Sequence, residues 1–236
     1  MALNIQTFKT RALTALLFVA VMLVGLLWNF WSFLVLFTII HFGCWYEFVK
    51  LMKKIYADKY LGYCLLGLIY LTLPCVLIIS LYNPTGDVDI HNSWYIFLPK
   101  GSIPIIIIAS IWINDTMAYL VGSFIGKTPL SKISPKKTIE GTLGGIILCI
   151  TVIGIGTYFI YDMWWDAALF SMIIAAICAI FGTLGDLLES KLKRMANVKD
   201  SGSFMPGHGG FLDRFDSLLV AVPAVWVYWV YLYFFY

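Results

Sequence analysis

The sequence predicts an all-α, polytopic integral membrane bundle of about seven transmembrane helices, and three observations carry that expectation. Of its 236 residues 61% are hydrophobic and 12% charged, against roughly a quarter charged in ordinary soluble domains. Seven apolar runs follow one another, at 12–28, 30–49, 61–82, 103–122, 142–161, 167–188 and 217–235, each near the ~20 residues that cross a bilayer as a helix. With a cytoplasmic N-terminus, the loops between these runs place 15 of the 16 Lys and Arg residues on one side and Lys100 alone on the other. The positive-inside rule demands this asymmetry.

Taken in order, Lys9 and Arg11 precede the first run and could pass for the basic region of a signal peptide. A second run follows at once and no convincing small-residue cleavage site intervenes, so the first is read as retained. Only Trp28 and Asn29 separate the two, which suits either a helical hairpin or one long tilted or re-entrant element. Asn83-Pro84-Thr85-Gly86 is a turn signal that opens the longest outer connection, 83–102. That loop carries Asp87, Asp89, Trp94 and Tyr95, and the later outer turn carries Asp162, Trp164, Trp165 and Asp166, aromatics suited to an interfacial belt. The three runs before the long loop hold scarcely an internal charge. Residues 1–100 are therefore expected to be mainly scaffold and 101–236 the functional half of a single domain spanning 1–236.

Other classes fall away. The net charge of +3 is explained by topology signals, and no basic stripe interleaved with aromatics points to nucleic acid. Cys44, Cys64, Cys75, Cys149 and Cys178 lie in or at the ends of apolar runs without a C-x-x-C pair, and read as small buried apolar residues.

Three polar clusters remain, all expected at the cytoplasmic ends of the later spans. Asn114-Asp115 stands inside the fourth run, 12 residues before Lys127. At 1.5 Å per helical residue that is about 18 Å below the surface, which suits either an interhelical hydrogen bond or the wall of a polar cavity. Ser134-Pro135-Lys136-Lys137-Thr138-Ile139-Glu140-Gly141 offers ammonium and hydroxyl donors for phosphate beside glycines that admit close approach, though its lysines also serve as topology charges. It is no P-loop, because the Gly-x-x-x-x-Gly-Lys-Ser/Thr spacing is missing.

The third cluster is the densest. Asp186, Glu189, Ser190 and Lys193 fall on one helical face, and Asp213 and Asp216 share a face at the start of the last run. Asp186, Asp213 and Asp216 converging from two helix ends would make the hard oxygen site that Mg²⁺ takes when it also binds substrate phosphates. Lys193, Arg194, Lys199 and Arg214 add cations for a polyphosphate. His208, among Gly207, Gly209 and Gly210, has no second histidine at zinc-ligand spacing and suits a phosphate hydrogen bond or an orienting role.

At these residues the chain resembles the phosphatidate cytidylyltransferase, or CDP-diacylglycerol synthase, family. The resemblance rests on Ser190, Lys193, Arg194, Lys199, Asp200, Gly202, Pro206, His208, Gly209, Gly210, Asp213, Arg214 and Asp216. It extends upstream through Gly185-Asp186-x-x-Glu189-Ser190, and through Asn114-Asp115, Gly126-Lys127 and the Ser134 to Gly141 stretch. It implies that CTP and phosphatidic acid react to give CDP-diacylglycerol and pyrophosphate, with Mg²⁺ and a second cation, divalent or monovalent. The catalytic set it implies is Asp186, Lys193, Arg194, Lys199, Asp200, His208, Asp213, Arg214 and Asp216. Asn114, Asp115, Lys127, Ser134, Lys136, Lys137, Thr138, Glu140 and Ser190 would bind substrate.

Two alternatives stay open at this point: a CTP-dependent lipid-alcohol kinase of dolichol-kinase type, and an ion-coupled transporter using Asp115 and Asp186. A bacterial inner membrane is the expected location, with the site facing the cytoplasm, and a homodimer is left open.

Overall fold

The computed structural model describes residues 5–82, 98–162, 164–204 and 209–235, and among them the regular elements are helices, with no strand. The helices are α1 (Ile5–Leu27), α2 (Phe30–Tyr56), α3 (Tyr60–Cys64), α4 (Leu73–Ser80), α5 (Ser102–Ile125), α6 (Ile139–Ile160), α7 (Trp165–Met195) and α8 (Leu212–Phe235). Five stretches among the described residues are long and apolar enough to cross a membrane: Phe30–Cys64, Ser102–Ile125, Ile139–Ile160, Trp165–Met195 and Leu212–Leu232. Ala12–Leu27 and Leu68–Ser80 are shorter apolar helices, so the first and third of the seven expected spans stand apart from the other five. The long outer loop lies almost wholly outside the described residues.

Local chemistry explains the breaks. Asn29 caps α2: its side chain accepts from Ser32 N at 2.9 Å, and Ser32 Oγ accepts from Asn29 N at 3.1 Å, a reciprocal capping box. The first two runs are thus two helices joined at Trp28–Asn29, not one long element. The third run, expected as one helix over 61–82, is interrupted by a π-helical turn at Leu68–Thr72, where Leu73 N–H reaches back to Leu68 O. Pro74 follows in the first turn of α4 and supplies no N–H to the preceding turn, which favours such a break. Trp45 of α2 fits the gap, its Nε1 donating to Thr72 Oγ1 at 3.0 Å.

α5, α6 and α7 pack in mutual contact, α8 lies along α7, and α2 and α4 close against α8. Phe33, Phe37, Ile78, Ile107, Ile174, Cys178, Val222 and Val225 form part of a continuous core. Large side chains such as Ile69, Ile147, Phe159 and Val227 remain largely exposed, as hydrocarbon-facing positions do in a bundle whose backbone bonds are satisfied internally. All five cysteines are free and four of them are buried, in keeping with their reading as apolar filler.

The α5–α6 contact is extensive and tight. A Cβ on Gly145 would stand 2.7 Å from Ala118 Cβ and 2.9 Å from its Cα, and one on Gly141 would stand 2.7 Å from Ala118 O. Small residues let these two backbones meet. Gly145→Val is accordingly expected to lower stability by about 1–3 kcal/mol through overpacking, read as a drop in melting temperature in detergent. An unchanged melting temperature would show that the two helices can separate.

Candidate functional site

One end of the bundle collects the C-terminal ends of α2, α5 and α7 and the N-terminal ends of α6 and α8, and the polar clusters meet there. The segment between α5 and α6 folds back on itself: Leu130 N donates to Lys137 O at 2.7 Å and Ile139 N to Thr128 O at 2.9 Å, around a bridge between Pro129 and Thr138. Thr138 caps α6, accepting from Gly141 N at 3.1 Å. Glu140, in the first turn, accepts from Lys127 N at 3.1 Å, Thr128 N at 3.1 Å and Thr128 Oγ1 at 2.8 Å. A carboxylate beside the unsatisfied donors of a loop and a helix N-terminus is favourably placed. Glu140 therefore staples the loop in this structure, where the sequence suggested a substrate contact, and Lys127 contributes a backbone N–H to the same staple. The loop in turn presents Lys136, Lys137 and Thr138.

At the α7–α8 corner the carboxylates divide into two groups. Asp213 is saturated by the protein: Lys193 Nζ donates to Oδ1 at 2.6 Å, and Oδ2 accepts from Gly210 N at 2.8 Å, Ser201 N at 2.9 Å and Ser201 Oγ at 2.9 Å. Lys193 is also ion-paired with Glu189 one turn back on α7, a residue with 0% exposure. An ammonium between two carboxylates offsets part of the cost of burying them, and removing it would leave both charges uncompensated. Lys193 thus ties α7 to α8 in this structure, where the sequence suggested contact with a polyphosphate.

The second anchor is Glu47, in the middle of α2 and 3% exposed. It accepts from Ser201 Oγ at 2.7 Å, Phe211 N at 3.0 Å and Leu212 N at 2.9 Å. The last two are donors at the start of α8 that the helix itself cannot satisfy. Gly202 and Gly210 pack so tightly on this carboxylate that a Cβ on either would collide with it. Ser201 Oγ has one proton to share between Glu47 Oε2 at 2.7 Å and Asp213 Oδ2 at 2.9 Å, and its N–H also donates to Asp213, so Ser201 links α2, the loop after α7 and α8.

Between these anchors opens a cavity of about 610 Å³, lined by Asn114, Asp115, Lys136, Lys137, Thr138, Asp186, Asp213, Arg214 and Asp216, together with Phe18, Trp112, Tyr119, Thr142, Thr183 and Ser217. Lys137 Nζ pairs with Asp186 Oδ2 at 2.5 Å. Asp216 Oδ1 accepts from Ser217 N at 2.6 Å. Asn114 is 4% exposed and its Oδ1 finds no hydrogen-bond partner among the described residues. Leaving such an acceptor unpaired costs about 1–3 kcal/mol, an expense that a polar ligand or water in the cavity would remove.

Half of the residues expected in the site thus share one cavity: Asn114, Asp115, Lys136, Lys137, Thr138, Asp186, Asp213, Arg214 and Asp216. Others do not line it. Lys127, Arg194, Lys199 and Asp200 are exposed, Arg194 donates to Val198 O at 3.3 Å, and Asp200 borders a separate cavity. Ser190 is buried, and Ser134 accepts from Lys137 N through its carbonyl at 3.1 Å. His208 and Pro206 lie outside the described residues. Sequence reasoning missed Glu47 and Ser201. The available signal was that Glu47 is the sole acidic residue before Asp58, a lone carboxylate in an apolar run.

For a divalent cation the fit is partial. Among the described residues no three His, Cys, Asp or Glu side chains gather at metal-holding spacing, and Asp213 has given its oxygens to Lys193, Ser201 and Gly210. The expected three-carboxylate set is therefore not assembled in this structure. Asp186 and Asp216 remain in one cavity wall beside Lys136, Lys137 and Arg214. Two hard carboxylates flanked by cations suit Mg²⁺, which takes one or two carboxylates and completes its shell with water and substrate phosphates.

A bundle of apolar helices of membrane-crossing length, with an acid- and lysine-lined cavity at one end, defines the class: an integral membrane helical protein. Residues 92–232 match the model of the Cytidylyltransferase family, and the chain belongs to that family. It is 36% identical over 180 residues to a phosphatidate cytidylyltransferase of Staphylococcus haemolyticus, covering 76% of this chain and 63% of the relative. It is 35% identical to that of Bacillus subtilis over 76% of this chain and 62% of the relative. A Synechocystis phosphatidate cytidylyltransferase is 42% identical over 126 residues, 53% of this chain and 42% of the relative. The matched region thus spans from about two fifths to under two thirds of the length of these relatives.

Proposed function

We propose that the chain transfers the cytidylyl group of CTP to phosphatidic acid, giving CDP-diacylglycerol and pyrophosphate. The observation that carries this reading is the gathering of Asp115, Asp186 and Asp216 with Lys136, Lys137, Thr138 and Arg214 around one cavity, in a chain of the Cytidylyltransferase family. In the proposed reaction an oxygen of the lipid phosphate attacks the α-phosphorus of CTP, the α–β anhydride bond breaks, and pyrophosphate leaves with the electron pair. The nucleophile is already anionic at neutral pH, so no general base is needed. The protein's work is to hold two anions together and to offset the charge that develops.

Lys136, Lys137 and Arg214 supply cationic donors to phosphate oxygens, and the Thr138 hydroxyl donates beside them. Asp186 and Asp216 would hold Mg²⁺, which when bound neutralises phosphate charge and aligns the reacting groups. Asp213, Lys193 and Glu189 act one step removed, fixing the start of α8 and with it Asp216. Asn114 and Asp115 line the cavity from α5, where a lipid phosphate could enter while its tails stay in hydrocarbon. The cavity end is taken to face the cytoplasm of a bacterial inner membrane, on the strength of the Lys and Arg distribution.

The test uses CTP labelled at either the α- or the γ-phosphorus, with phosphatidic acid and Mg²⁺, in sealed inside-out and right-side-out membrane vesicles. Cytidylyl transfer moves α-label into a lipid-soluble product only in inside-out vesicles. Transfer of γ-label to an added polyprenol, supplied as the alcohol acceptor, would instead establish the lipid-alcohol kinase, and equal turnover in intact right-side-out vesicles would overturn the orientation.

A further inference from the structure

A second pair of cavities lies on the other side of the loop that follows α7. One, of about 880 Å³, is lined by Lys50, Lys53 and Lys54 from the end of α2 and by Asp200, Ser201, Ser203, Phe204 and Phe211. The other, of about 350 Å³, is apolar and lies between α1 and α2, with Leu17, Val21, Met22, Ile39 and Ile40 among its walls. Phe204 and Phe211 line both, their rings 4.2 Å apart, so the basic and the apolar space adjoin along one face of α2.

The apolar half opens outward. Leu17, Val21 and Ile39 on its rim are 63%, 50% and 55% exposed, whereas Met22 and Ile40 on its floor are at 1% and 2%. From Ile39 to Lys50 the helix rises about 16 Å, comparable to the reach from a lipid phosphate well into its acyl chain. The charge in the basic half is not consumed internally. Glu47 faces this cavity, but its oxygens are held by Ser201, Phe211 and Leu212. Asp200 is the other carboxylate in the wall, and Lys50 Nζ stands 4.1 Å from the Tyr46 ring centroid. Three lysines against two carboxylates, of which Glu47 is already hydrogen-bonded by neutral donors, still leave a net positive recess beside a greasy cleft. Topology alone asks for lysines near this membrane face, but it does not ask for a recess continuous with an apolar cleft.

We propose that the face of α2 from Ile39 to Lys54, with α1 beside it, is a binding site for an anionic diacyl phospholipid. Its acyl chain lies between α1 and α2, and its phosphate meets Lys50, Lys53 and Lys54. A soluble nucleotide would use only the basic half, and a zwitterionic lipid would gain little from three ammonium groups. The apolar cleft also adjoins the reaction cavity at Phe18, which lines both, but Lys50, Lys53 and Lys54 line the basic recess and not the reaction cavity. The inference concerns binding alone and does not depend on the cytidylyl reading.

The test is photo-crosslinking of the full chain in phosphatidylcholine nanodiscs doped with a diazirine-tailed phosphatidylglycerol or a diazirine-tailed phosphatidylcholine, with labelled peptides mapped by mass spectrometry. Peptides holding Leu17, Val21 and Ile39 are expected to label about tenfold more with the anionic probe, given attraction of a lipid surface charge by each lysine. Lys50→Gln/Lys53→Gln/Lys54→Gln should abolish that preference while leaving the remaining apolar labelling. Ile39→Trp, which fills the cleft, should lower labelling by both probes. Equal labelling by the two probes in the unmodified protein would overturn the proposal without any variant. So would a preference that survives loss of the three lysines.

Discussion

Asp216→Asn is expected to lower turnover by about 10²–10³-fold, the scale of removing one preorganised charge from a reacting site, while the protein stays folded in detergent. Asp216 lies in the same cavity wall as Asp186 and Asp115, so replacing it with a neutral amide relieves repulsion among carboxylates and should hold or raise the melting temperature. Turnover at saturating Mg²⁺, alongside thermal unfolding, separates this from a folding defect. A variant that is both stable and near fully active would remove Asp216 from the chemistry. Asp186→Asn offers a graded comparison, because it also releases Lys137 from an ion pair.

The second large effect falls on a residue far from the signature in sequence. Glu47→Ala leaves Phe211 N and Leu212 N without their acceptor and Ser201 Oγ with Asp213 alone. At about 1–3 kcal/mol for each buried donor left unpaired, a loss of several kcal/mol is expected, with faster amide exchange at Phe211 and Leu212. Glu47→Gln retains one accepting oxygen but turns an amide NH₂ toward donors, and should fall between the two. Because Ser201 also holds Asp213, turnover should fall in both variants. Unchanged exchange at Phe211 and Leu212 in the alanine variant would refute the anchor.

How far the sequence foretold this arrangement can be judged residue by residue. Helical periodicity placed Asp186 and Lys193 on one face, because rise and rotation per residue are properties of the local chain; in the structure Lys193 reaches Asp213 of α8 while Asp186 pairs with Lys137 before α6. The apolar runs marked where helices lie for the same reason. Periodicity could not tell which carboxylates face the cavity and which are taken up by the protein. Asp213 and Asp216 both border the cavity and differ in what the folded chain brings to them: Lys193, Ser201 and Gly210 for one, the Ser217 N–H for the other. Glu140 drew attention by standing beside Lys136 and Lys137, yet Lys127 N, Thr128 N and Thr128 Oγ1 claim it, backbone and hydroxyl donors that no side-chain pattern advertises. The π turn before Pro74 depends on Trp45 from another helix, and was legible only as a proline within an apolar run.

The clasp on Glu47 bears on where this molecule could be divided. The segment matching the family begins at residue 92, downstream of the carboxylate that receives the first donors of α8. A fragment cut at that boundary would carry every motif residue and still lack the group on which its most glycine-rich loop closes. Kinship by sequence and independence in folding thus have different borders here. Chimeras that exchange the first two helices with those of a relative would be exchanging part of the frame of the cavity along with two apolar helices.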